Sequence, residues 1–130
     1  MKYLFFTVLI ANLLIFSCEN RNLTGSENVS ELENMTFTNI STSISNNTLI
    51  ASGTISNNNQ SLSISPPWYI ECQYYYETTP GNTFLIGGES TLISNALPAG
   101  VSLVWTLEHQ VDNPDNYSNF TVNDLRAYKN

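Results

Sequence analysis

Residues 68–77 set the terms for what this chain can fold into. Trp68, Ile70, Cys72, Tyr74 and Tyr76 occupy alternate positions, with Tyr69, Glu71, Gln73 and Tyr75 between them. Side chains alternate across a strand with a period of two, so the first set predicts a buried face and the second an outward one. The same period returns elsewhere. Leu49, Ala51, Gly53 and Ile55 alternate with Thr48, Ile50, Ser52 and Thr54, and Val101, Leu103, Trp105 and Leu107 alternate with Ser102, Thr106 and Glu108. Met35 and Phe37 open a strand whose apolar positions change phase by Ile40 and Ile44, which predicts a bulge or a strand that switches sheets. A last strand over residues 120–128 also changes phase, between Val122 and Leu125. No segment carries a helical period of 3.6.

Turn residues separate these runs. Ser45, Asn46 and Asn47 form one signal and the asparagines at 57–59 another, since Asn tolerates left-handed backbone. Leu62 and Ile64 read as a short strand closed by Pro66 and Pro67, which cannot donate ladder hydrogen bonds. Pro80, Gly81 and Asn82 turn the chain into Phe84, Leu85 and Ile86, a strand that Gly87 and Gly88 loosen. Leu92 and Ile93 read as a separate short piece. Leu97, Pro98, Ala99 and Gly100 suit a type I turn, and residues 112–119 form a polar loop around Pro114. Seven or eight short strands with such punctuation predict an all-β fold, a single antiparallel β-sandwich of Ig-like type.

Residues 1–18 follow a different rule. Lys2 precedes an apolar run over residues 3–16, broken only by Thr7 and Asn12. The run is shorter than the roughly 20 residues of a membrane span and has the layout of a secretory signal. Its ending, Ile15, Phe16, Ser17 and Cys18, resembles the lipobox of bacterial lipoproteins. That resemblance implies diacylglyceryl transfer to the Cys18 sulfur, cleavage after Ser17 and acylation of the new amino terminus. It makes residues 1–17 a signal peptide and places the mature chain on a membrane of the bacterial cell envelope, the outer favoured over the inner. The alternative is an ordinary secretory signal with Cys18 near its cleavage site.

Residues 18–34 carry four glutamates and only Leu23, Val29 and Leu32 as large apolar side chains. Such a segment buries too little surface to offset its ordering entropy, which predicts a flexible tether ahead of a sandwich over residues 35–130, with Leu32 at the boundary. The mature length suits one domain. Of the basic residues only Arg21, Arg126 and Lys129 remain after cleavage, against eleven acidic ones. This balance argues against a nucleic-acid partner and against electrostatic docking on anionic lipid, so attachment falls to the lipid on Cys18. A lipidated Cys18 leaves Cys72 as a lone thiol on an inward strand position, where cysteine behaves as a small hydrophobe. A Cys18–Cys72 disulfide is the competing arrangement and requires an unlipidated Cys18.

Gly53, Thr54, Ile55, Ser56 and Asn57 together resemble the Gly-x-aliphatic-x-Asn strand ending of FxLYD-type Ig-like domains of bacterial envelope proteins. Residues 97–102, reading Leu-Pro-Ala-Gly-Val-Ser, resemble the turn that opens a later long strand of that family. Tyr74, Tyr75, Tyr76 and Glu77 stand where its naming motif falls and depart from it in most positions. The resemblance spans residues 48–107 and implies an accessory or interaction module without catalytic residues.

The residues offer little chemistry for an enzyme. A hydrolase triad or histidine-rich metal site needs imidazoles at defined spacing, and the chain has only His109, expected on the surface beside a polar loop. Glu71 and Glu108 would form a carboxylate pair only if their strands paired. Asp112, Asp115 and Asp124 lack the dense spacing of a calcium loop. No catalytic residue, metal ligand or cofactor is therefore assigned. The candidate binding face is the outward row Tyr69, Glu71, Gln73 and Tyr75. The expected function is that of a non-catalytic, lipid-anchored envelope protein acting as a binding or assembly module, with an envelope protein as partner. The alternative is a glycan-binding accessory module that stacks sugars on those tyrosines. The bland reading of the row is shielding of the sheet by cross-strand pairs.

Overall fold

The computed structural model describes residues 29–130. The expected signal peptide, its expected cleavage site and Cys18 lie outside the described residues. Seven strands follow in order: β1 (Ser30–Glu31), β2 (Met35–Ser45), β3 (Thr48–Asn57), β4 (Trp68–Thr79), β5 (Asn82–Ile93), β6 (Ser102–Gln110) and β7 (Phe120–Lys129), with a short 3-10 turn at Pro114–Tyr117 before β7. One sheet has the order β1-β7-β4-β5 and the other β2-β3-β6. Every pairing is antiparallel. The β3–β6 and β4–β7 pairings each join strands distant in sequence, so the chain crosses between sheets in the Greek-key manner of an Ig-like β-sandwich.

The core is the expected alternation made solid. Leu49, Ala51 and Ile55 of β3 face Trp68, Ile70, Cys72 and Tyr74 of β4, all without solvent exposure, and Trp105, Leu107, Phe120 and Ala127 complete the layer. Gly53 has a packing role. A Cβ there would lie 2.9 Å from Cζ2 of Trp105, its cross-strand neighbour, so the missing side chain lets the indole lie flat on β3. Phe37 closes over the same ring edge-on at 5.9 Å.

Both phase changes are bulges. In β2 the register slips between Thr38 and Ser41, with Asn39 at a φ of +53°. In β7 the slip falls opposite residues 71–73, with Asp124 at a φ of +52°. An extra residue in left-handed conformation moves the following side chains to the other face, which is why Leu125 and Ala127 point inward after Val122.

Several details differ from the sequence reading. Ile64 makes only an isolated bridge to Leu97, and no strand forms around Leu62. Phe84 and Ile93 belong to one twelve-residue strand, β5, which absorbs its glycines by a register shift against Tyr74 and Tyr75. The turn after Leu97 runs one residue later than expected: Val101 N donates to Pro98 O at 3.2 Å, and Gly100 adopts a φ of +73°. Glycine with positive φ at the third turn position is the type II requirement. The ordered sheet also begins earlier than residue 35. Ser30 and Glu31 pair with Lys129 and Tyr128, and Leu32 N donates to Ala127 O at 2.8 Å, so part of the segment read as tether is a strand of the sandwich.

Candidate functional site

The outward row of β4 stands on the outer face of the four-stranded sheet, as the alternation requires, but it is not an open surface. Glu71 is only 5% exposed. Its cross-strand neighbour Arg126 explains why. Arg126 Nη2 lies 2.9 Å and Nε 3.1 Å from the same carboxylate oxygen, Oε1. The guanidinium also sits 5.3 Å from the ring centroid of Tyr128. Tyr128 in turn stacks on Tyr69 at 5.2 Å with 13° between the planes. Farther along, the Tyr75 hydroxyl bonds to the Asp124 carboxylate at 2.7 Å and also meets the Gln73 amide. Donating that bond to the Asp124 carboxylate holds the Tyr75 phenol above its ordinary pKa. The β7 bulge supplies the geometry, because it turns Asp124 toward Tyr75.

These side chains enclose a shallow concavity of about 500 Å³, lined by Glu31, Glu71, Gln73, Tyr75 and residues 124–126. Its rim comes from β1 and its floor from β4 and β7. Of the row, Glu71, Gln73 and Tyr75 meet in this hollow; Tyr69 lies beside it in the stack with Tyr128. Arg126 and Tyr128 were not singled out as site residues by the sequence, and Asp124 was considered there only as one of three acidic residues for calcium. The only signal for them was the phase change in the last strand.

The expected surface position of His109 is overturned. β6 places it on the inner face, where its ring stacks on Tyr74 at 5.3 Å and Nδ1 meets Glu89 Oε1 of β5 at 2.8 Å. His109 is opposite Leu49 in the β3–β6 ladder, and Leu49 is fully buried. The chain accommodates the ring because residue 87 is glycine: a Cβ there would lie 2.7 Å from Nε2. This gathers imidazole, carboxylate, phenol and thiol, since Cys72 is opposite Glu89 and two residues from Tyr74. It does not make a nucleophile. Burial pushes the Cys72 thiol up to about 12, so it is protonated at neutral pH, and a protonated thiol is unreactive. Burial likewise pushes the Tyr74 phenol up.

Glu71 and Glu108 do not form a pair, because β4 and β6 lie in different sheets. Among the described residues, no three His, Cys, Asp or Glu side chains gather as metal ligands would, and no helix is long and apolar enough to cross a membrane. Comparison with protein families, with curated proteins and with solved structures finds no match.

Proposed function

We propose that this chain is a non-catalytic, lipid-anchored protein of the bacterial cell envelope that acts as a binding or assembly module. The observation that carries the reading is the lipobox-like ending Ile15, Phe16, Ser17 and Cys18 after an apolar run too short to span a bilayer. Two or three acyl chains on Cys18 anchor far more firmly than one, which holds only marginally. The outer membrane is the favoured location. The FxLYD-like punctuation around Asn57 and Gly100 fits an accessory domain of such a protein.

The concavity on the outer sheet favours one second reading. Carboxylate, amide, guanidinium and phenol side chains beside a stacked tyrosine pair are groups suited to the hydroxyls and ring faces of a sugar, so glycan binding is the runner-up. The internal pairing of Glu71 with Arg126 and of Tyr75 with Asp124 supports shielding of the sheet instead. Labelling in a bacterial host with a clickable palmitate analogue, followed by membrane fractionation, tests the anchor: wild type should carry label in the membrane fraction and Cys18→Ala should not. A Tyr69→Ala, Tyr75→Ala variant on a glycan array tests the runner-up. Glycan binding by the wild type that this folded variant loses would put the glycan reading first.

A further inference from the structure

Both ends of the sandwich expose large apolar side chains, Ile44, Phe84 and Leu85 at the end with the 45–48 and 79–82 turns and a second group at the end around Asn57. Only the second lies where the described chain enters the fold. This pole gathers the start of β2, the end of β3, the start of β4, the end of β5, the start of β6 and the end of β7. Asn57 is its hub. This fully buried side chain donates from Nδ2 to the carbonyls of Leu62 at 2.8 Å and Leu97 at 2.9 Å, and its backbone N donates to Val101 O at 3.0 Å. The loops held this way display aliphatic side chains to solvent. Leu62 is 62% exposed and Val101 43%. Leu92 at 53% and Val104 at 75% flank them, lining a smaller hollow of mixed polarity with Trp68, Asn95, Leu97 and Leu103.

The described chain begins at this same pole. Ser30 pairs with Lys129 at the end of β7, and Lys129 Nζ donates to Ser65 Oγ at 2.9 Å. Residues 19–28 separate Cys18 from Val29. Ten residues span at most about 35 Å. A lipid on Cys18 therefore keeps the pole where the chain enters the sandwich within that distance of the bilayer, whereas the opposite pole, with the 79–82 hairpin, is joined to the anchor only through the length of the domain.

From this placement we propose that the Asn57 pole docks on the lipid surface, with Leu62, Leu92, Val101 and Val104 entering the headgroup region. The proposal rests on the lipid-anchored reading. The lipid it suits is zwitterionic: Glu31 and Glu33 are exposed at this pole and the chain carries a net charge of −7, so an anionic surface would repel it. Docking would hold the outer-sheet concavity and the far hairpins in a fixed orientation above the membrane.

The test uses full-length protein, purified from a bacterial host, with an environment-sensitive thiol dye at Val104→Cys, Leu92→Cys or Phe84→Cys. Cys72 is buried and stays unlabelled in the native state. Each variant is reconstituted into phosphatidylethanolamine–phosphatidylcholine vesicles containing brominated lipid, with its acyl mass and circular dichroism verified. The expected result is quenching severalfold greater at residues 104 and 92 than at residue 84, on the far hairpin. Equal or absent quenching in acylated protein overturns the docking while leaving the anchor intact. A mass without acyl chains overturns the anchor and the docking with it.

Discussion

The imidazole of His109 occupies the space that a side chain at residue 87 would need, with Nε2 2.7 Å from the position a Cβ at Gly87 would take. This contact is how the edge strands of the two sheets close on each other: β6 sends its histidine across, and β5 receives it on a glycine and holds it with Glu89. Overpacking such a site destabilises by about 1–3 kcal/mol. Gly87→Ala should therefore lower stability by that amount in urea denaturation. Adding His109→Ala should recover part of the loss, since the two changes act on one contact. Additive losses would show that the glycine serves the backbone instead.

Asn57 gives the second prediction. Asn57→Ala removes four side-chain hydrogen bonds, two donated to the carbonyls of Leu62 and Leu97 and two accepted from Asn59, and leaves those carbonyls without that donor inside the pole. Each buried group left unpartnered costs about 1–3 kcal/mol, so a loss of roughly 2–4 kcal/mol is expected. Asn58→Ala, at an exposed neighbour, should cost less than about 1 kcal/mol. Equal effects at the two positions would deny Asn57 its role as hub.

The third concerns alkaline pH. Burial raises the Cys72 pKa from 9.0 to about 12. Below pH 9 the thiol is protonated in both folded and unfolded chains and contributes its full stability. Between about pH 9 and 12 the unfolded chain gives up that proton and the folded one keeps it. Stability must then fall, by at most about 1.4 kcal/mol per pH unit for this group. The urea midpoint should drop between pH 9 and 11, and Cys72→Ala should flatten the slope; Tyr74 and Tyr75, whose pKa values are also raised, contribute to what remains.

Arg126 carries the fourth. Removing the guanidinium leaves the Glu71 carboxylate almost buried without its ion-pair partner and takes a cation from above Tyr128. Breaking buried pairs costs about 3–5 kcal/mol, and the partial exposure of Arg126 places the expected loss from Arg126→Ala at roughly 2–4 kcal/mol. Arg126→Ala combined with Glu71→Gln should be less destabilised than Arg126→Ala alone. Thermal denaturation of the three variants decides it.

The sandwich was legible because burial on one face of a strand imposes a period of two on the sequence. Trp68, Ile70, Cys72 and Tyr74 therefore announced the core. The bulges at Asn39 and Asp124 were visible as phase changes for the same reason. Contacts between strands from different sheets left no such trace. His109 sits at a position whose neighbours in sequence, Glu108 and Gln110, are exposed, and only the crossing of β5 and β6 puts it inside. The outward row stands on one face of β4, as the alternation predicts, and the sequence left open whether it binds a partner or is shielded by cross-strand neighbours. What covers Glu71 is Arg126, fifty-five residues away, and pairing at that range depends on which strand becomes the neighbour of which. Asn57 looked like one of three turn asparagines, yet it alone is buried, because β3 carries it inward as the next member of the Leu49, Ala51, Gly53, Ile55 face.

The measurement that tests the anchored binding-module reading most directly is the intact mass of the protein purified from the membranes of a bacterial host. The account predicts a chain that begins at Cys18 and carries diacylglyceryl and, in most molecules, an additional acyl chain, and it predicts that Cys18→Ala abolishes these additions. A mature chain whose mass equals that of the unmodified polypeptide would contradict it.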